Sequence, residues 1–263
     1  MPLFDIIETS GRAYIKAWEE RAYLLKLVLM PFLAKALFFA IVLIMGYEDN
    51  VFRQTLVMLP AYFLEGWMIA HIARLIVLGE RWPVRLSGKT EQDILYLAAR
   101  GRAIFAAILL YTLIKMGQNA VMAPIVKHEE EFAHIAEENE PSLMIFLLAF
   151  GMIAFMVWFF KFMFLHLAIA VDIPIRSYLQ KLPGIQSSLY LLGAWLTCYI
   201  PFLLAGIIIL KLVSVLLMNY SDFFLLVIFV VHFAVDLIAM CVVTICFSMA
   251  LKHIFSQQNN SRG

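Results

Sequence analysis

The chain has 263 residues, of which 63% are hydrophobic and 15% charged, with a formal net charge of +1. Soluble domains carry roughly 45 to 50% apolar residues, so this balance excludes a soluble fold. The near-neutral sum also excludes nucleic acid as a partner, which would demand a basic footprint. The charges therefore matter by position, and the bilayer is the partner that composition names.

From Phe4 the positions Ile7, Gly11, Tyr14 and Trp18 recur at three and four residues with charged residues between them. That is helical periodicity. Beside a membrane span, it predicts an amphipathic helix over 1–22 lying in the interface with its aromatic face toward lipid. The stretch lacks the apolar core of a secretory signal, so the first span is expected to insert uncleaved.

A bilayer core about 30 Å thick takes roughly 20 apolar residues to cross as a helix. Six stretches qualify, at about 24–46, 55–78, 103–126, 142–171, 186–218 and 223–251. The first and second are joined by a short turn and should form a hairpin of neighbours. Between the second and third, Gly79 to Arg102 is polar and basic, with a short surface helix predicted around Ile94 to Ala98. His128 to Pro141 holds six glutamates and no lysine or arginine. A turn-rich linker follows the fourth span, and Pro201 should kink the fifth. The expectation is an all-α fold: a polytopic transmembrane bundle of six spans plus the interfacial helix, forming one integral membrane domain over 1–263.

Lysines and arginines outside the spans fall twelve on one side and two on the other. By the positive-inside tendency the first side is cytoplasmic. Both termini are then inside, and the acidic loop is outside.

Charged side chains in hydrocarbon are costly, and those that persist face a bundle interior, pair with each other or mark a transport route. Counting depth along each span places Lys35, Glu65, Lys115 and Asp236 near mid-membrane. Two cations thus meet two anions, and the hairpin favours Lys35 with Glu65, which leaves Lys115 for Asp236. Lys115, Gln118 and Asn119 share one helix face by their spacing, and that face should look inward. Arg74 lies near the end of its span, where a long basic side chain can snorkel to the headgroups.

Two readings follow from this level. In one, the pairs lock helix register in a non-enzymatic membrane component. In the other, Glu65, Lys115, Gln118, Asn119 and Asp236 line the polar interior of a small transporter or proton-coupled permease. A third rests on His71 and His166, at similar depth on two spans, as axial ligands of one haem. The residues call for no other cofactor and no metal. Cys198, Cys241 and Cys246 all fall in apolar runs as buried hydrophobes, without disulfide or zinc spacing. No nucleophile elbow, metalloprotease helix or phosphate-binding glycine loop occurs, so an enzyme is disfavoured.

Two stretches carry a family likeness. The opening Phe4-Asp-Ile-Ile-Glu-Thr-Ser-Gly-Arg-Ala-Tyr-Ile-Lys-Ala-Trp18 runs into a span with an early Pro31. The second span ends in His71-Ile-Ala-Arg-Leu-Ile-Val-Leu-Gly-Glu80. Together they resemble uncharacterised six-span inner-membrane proteins of alphaproteobacteria, which are loosely similar to the membrane domains found beside glycerophosphodiesterases. The likeness covers about the first 110 residues. It implies a bacterial inner-membrane protein and no particular activity, with a membrane-protein partner left unspecified. The acidic loop and the polar third span stand outside that pattern.

Overall fold

The structure is a computed structural model that describes residues 5–47, 50–84, 88, 90–127, 143–216 and 221–260. It is helical throughout the described residues: α1 (Ile6–Glu19), α2 (Arg21–Ile44), α3 (Val51–Leu78), α4 (Thr90–Lys127), α5 (Leu143–Phe159), α6 (Leu165–Ala170), α7 (Ile175–Lys181), α8 (Gly184–Leu216) and α9 (Ser221–Asn260), with a 3-10 turn at Phe160–Phe164 between α5 and α6. Six segments are long and apolar enough to cross a membrane. They match the six expected stretches, so the chain is a multi-pass membrane protein. The acidic loop from His128 to Pro141 lies outside the described residues.

The second span, α3, is the centre of the bundle, with α2, α4, α6 and α9 all packed on it. Its start is fixed by Asn50, whose side chain accepts from the Arg53 amide at 3.0 Å, an N-cap bond that satisfies one orphan donor of the first turn. Its end is fixed by Gly79 at φ 72°, a left-handed turn that costs glycine little. The Gly79 amide donates to the Leu75 carbonyl at 3.1 Å, the five-to-one bond of an αL cap, and the Glu80 amide donates back to the Arg74 carbonyl at 3.3 Å. The cap throws Glu80 back toward the helix instead of out into the loop.

Close approach between α3 and α4 depends on Gly66. A Cβ added there would lie 3.1 Å from Cδ1 of Tyr111 and 3.2 Å from the Ile108 backbone Cα. The ring could swing, but the facing backbone cannot move without separating the helices. Gly66→Ala should therefore lower the melting temperature in detergent by the equivalent of about 1 to 3 kcal/mol, the usual cost of overpacking. An unchanged melting curve would mean that α3 and α4 are not in contact at this point.

Two expectations about element boundaries are corrected. The short surface helix predicted around Ile94 to Ala98 is the first part of α4, continuous with the third span. The polar residues there left the long-range apolar pattern without interrupting helical hydrogen bonding. The fourth span, expected as one helix, is broken by the 3-10 turn at Phe160–Phe164. Carbonyls near that break find side-chain donors: Tyr178 donates its hydroxyl to the Lys161 carbonyl at 2.7 Å and Ser188 to the Trp158 carbonyl at 3.0 Å. A buried carbonyl outside the regular ladder needs such a partner.

The N-terminal helix is amphipathic as expected, but it uses two faces. Asp5 caps it by accepting from the Glu8 amide at 2.9 Å. Ile7 and Trp18 are 79% and 70% exposed, which leaves them for lipid. Tyr14, expected on the same lipid face, instead stacks on Phe202 with ring centroids 5.8 Å apart and donates its hydroxyl to the Cys198 carbonyl at 2.8 Å. Ser10 and Ala13 are buried beside it. A phenol can bury its ring only where the hydroxyl finds an acceptor, and α8 supplies one.

Candidate functional site: a three-helix charge network and a groove beside it

The mid-membrane charges come from three helices that pack on one another. Lys35 from α2 contacts Oε1 of Glu65 from α3. The same ammonium donates to Oδ2 of Asp236 from α9 at 2.9 Å. Tyr111 from α4 donates its hydroxyl to Oε2 of Glu65 at 2.9 Å. The Glu65 side chain is 0% exposed and that of Asp236 is 23% exposed. Apolar and aromatic residues close the network on the side of Phe39, Ala61 and Phe233, with the Lys35 ammonium 5.5 Å from the Phe233 ring centroid.

The sequence pairing of Lys35 with Glu65 is thus the observed one. The pairing of Lys115 with Asp236 is not. Lys35 serves both carboxylates, and Lys115 lies over the Tyr111 ring, 5.9 Å from its centroid. No ion pair to Lys115 forms among the described residues. Depth along a helix is countable from sequence, whereas the direction a side chain takes around the axis is set by packing. Here the aromatic ring of Tyr111 takes the face of α4 that meets Glu65.

Gln118 and Asn119 turn to different neighbours. Asn119 donates to Thr55 Oγ1 at 3.1 Å and to the Tyr62 hydroxyl at 3.0 Å, both on α3. Gln118 reaches the Met163 sulfur at 4.0 Å. The shared polar face of α4 therefore joins helices, and its three members do not converge on one space.

His71 and His166 are both buried, yet their rings sit among different side chains. His71 packs against Trp67 and Trp82, at centroid distances of 4.7 and 6.2 Å. Its Nδ1 lies 3.4 Å from an Arg100 guanidinium nitrogen. His166 packs against Tyr111 at 5.3 Å and Phe164 at 6.5 Å. The structure does not bring the two rings together across a shared space, so the haem reading gains nothing from it. Among the described residues no three His, Cys, Asp or Glu side chains cluster as metal ligands. The three cysteines are buried, as expected.

A second constellation, not expected from sequence, lies at the Leu78 end of α3. Arg74 is 2% exposed and fully engaged. Its Nε and Nη2 donate to the two oxygens of Glu80 at 2.8 and 3.2 Å. Its Nη1 donates to the Ala170 carbonyl at 2.7 Å and to Asp172 Oδ2 at 2.9 Å. Arg100 of α4 adds a bond to Glu80 Oε2 at 3.2 Å. Burial alone would raise the Glu80 carboxyl, but hydrogen bonds from Arg74 and Tyr96 and the nearby Arg100 charge hold it below its ordinary value. Arg74 does not snorkel, because the Gly79 turn returns a carboxylate to it and a planar guanidinium can grip both oxygens at once. The signal was present in the sequence: an arginine five residues before a Gly-Glu pair at a span's end.

Two cavities differ in character. One is a small apolar gap near Phe164 and Tyr178. The other, of about 180 Å³, is a groove between α8 and α9 lined by Tyr199, Phe202, Leu203, Ile207, His232 and Asp236, among others. Asp236 thus links the buried network to a space reachable from outside the bundle.

Comparison with known proteins brings no relative: no family model, no curated protein and no solved structure matches the chain.

Proposed function

We propose that this chain is a non-enzymatic component of a bacterial inner membrane, acting in envelope or membrane homeostasis through helix contacts or lipids. The observation that carries the reading is the engagement of Lys35. One ammonium holds Glu65 and Asp236, and Tyr111 completes Glu65, so the deepest charges are satisfied within the bundle. Such pairs hold helices in register and leave neither Lys35 nor Glu65 free to cycle a substrate. A hydrophobic carbodiimide modifies protonated carboxyls in membranes and spares ion-paired ones. Treating the protein in native membranes at neutral pH should leave Glu65 and Asp236 unmodified by mass spectrometry. Modification of either at near-stoichiometric level would move the assignment to the transporter reading, which the groove beside Asp236 favours.

In this reading the termini and the basic loops are cytoplasmic, as the twelve-to-two distribution of Lys and Arg directs. A cysteine at Glu137 should react with an impermeant maleimide from the periplasm, and one at Lys89 should react only after the membrane is opened. The reverse pattern would overturn the orientation.

A further inference from the structure

We propose that the groove between α8 and α9 is a binding site for a lipophilic primary amine, which enters sideways from the lipid and places its ammonium at Asp236. Three observations carry this. First, the contacts of the charge network do not balance: one lysine serves two carboxylates, and of these Asp236 is the one with exposed side-chain surface. The hydrogen bond from Lys35 goes to Oδ2, and the carboxylate also lines the groove. The other cation of this level, Lys115, is stacked on Tyr111 and makes no ion pair among the described residues.

Second, the remaining lining fits an amine with an apolar body. Leu203, Ile207 and Leu210 supply hydrocarbon, and Tyr199 and His232 are the other lining residues that carry polar groups. A primary ammonium has three N–H donors and no acceptor. Carboxylate and phenol oxygens are acceptors. A carboxylic acid or phosphate would meet Asp236 with like charge, so an anionic ligand is the wrong class.

Third, the groove is open where lipid would lie and closed behind. Leu203 and Ile207 are exposed on the outer surface of α8. Behind them, Gly206 lets α8 approach α9 so closely that an added Cβ would sit 3.3 Å from Val235 Cγ1. In a dry site with few competing donors a charge-assisted hydrogen bond is stronger than in water.

The test is equilibrium binding of tritiated n-octylamine to the full-length protein in nanodiscs, with empty nanodiscs subtracted to remove partition into lipid. Saturable binding near one per protein is expected, displaced by unlabelled octylamine and not by n-octanol at the same concentration. Asp236→Asn should weaken it about tenfold or more, the loss expected for one charge-assisted contact. Because that variant also disturbs Lys35, Ile207→Trp serves as the second arm: it fills the groove from an exposed position and leaves every charge in place. This variant should abolish binding. Absence of saturable binding overturns the proposal, whether the groove is filled by lipid or by a second copy of the chain. Equal displacement by octanol, or wild-type affinity in Ile207→Trp, overturns it as well. Failure here leaves carbodiimide reactivity unchanged, so the two readings fail separately.

Discussion

Lys35→Met should destabilise the protein more than removal of either of its partners. It leaves Glu65 and Asp236 together in the same interior without a cation in contact, and breaking a buried pair costs about 3 to 5 kcal/mol because the survivor is stranded. For a chain of this size that corresponds to roughly 10 °C in melting temperature. Glu65→Gln should be milder, since the Lys35–Asp236 pair survives and the Tyr111 hydroxyl still finds an amide oxygen; about 1 to 2 kcal/mol is the scale for weakening such contacts. Adding Lys35→Met to Glu65→Gln should not restore the wild-type melting temperature, because Asp236 is then alone. Only the triple change Lys35→Met, Glu65→Gln, Asp236→Asn removes the imbalance, and it should recover much of the loss. Lys115→Met is the control: a drop as large as that of Lys35→Met would place Asp236 with α4 and sink the three-helix network.

Arg74→Lys separates a buried clamp from a snorkelling side chain. A lysine at a membrane boundary snorkels as well as an arginine, so the snorkelling reading expects no effect. In the structure the guanidinium bonds both Glu80 oxygens, Asp172 and the Ala170 carbonyl at once, a geometry no ammonium reproduces. Arg74→Lys should therefore lower stability by about 1 to 3 kcal/mol and Arg74→Ala by about 3 to 5 kcal/mol, read as melting in detergent. Faster proteolysis between α3 and α4 should accompany both, since Glu80 would no longer anchor that connection. The pH dependence has a definite sign. Glu80 is held below its ordinary value in the folded state, so its contribution is present above that value and disappears as pH falls through the lowered one. Wild type should lose stability on acidification over that window, and Arg74→Ala should lose less of it.

The architecture was legible because the bilayer imposes a length that apolar runs must meet, and every span met it. The pair Lys35 and Glu65 was legible for a related reason: a short turn makes two spans neighbours, and matched depth then brings their charges together. What depth cannot supply is azimuth. Lys115 has the right depth for Asp236 and the wrong direction, since Tyr111 occupies the approach to Glu65 across the close contact at Gly66. Tyr14 shows the same limit, as its register fits the lipid face while its hydroxyl finds a carbonyl on α8. Arg74 was misread because a local turn, not a periodicity, decides its partner. The break at Phe160–Phe164 was not legible because Phe-Lys-Phe-Met-Phe is apolar apart from Lys161 and holds no proline or glycine to mark it.

The network around Lys35 also sets an order on biosynthesis. Lys35 and Glu65 leave the ribosome on α2 and α3, whereas Asp236 lies 201 residues beyond Lys35, on α9. At about 5 to 20 residues per second the sixth span follows the second by roughly 10 to 35 s. During that interval the hairpin of α2 and α3 carries Lys35 and Glu65 already matched to each other. Asp236 then arrives as a second carboxylate seeking an ammonium already engaged. Asp236 on α9 is thus added to a pair that α2 and α3 can form before it is made.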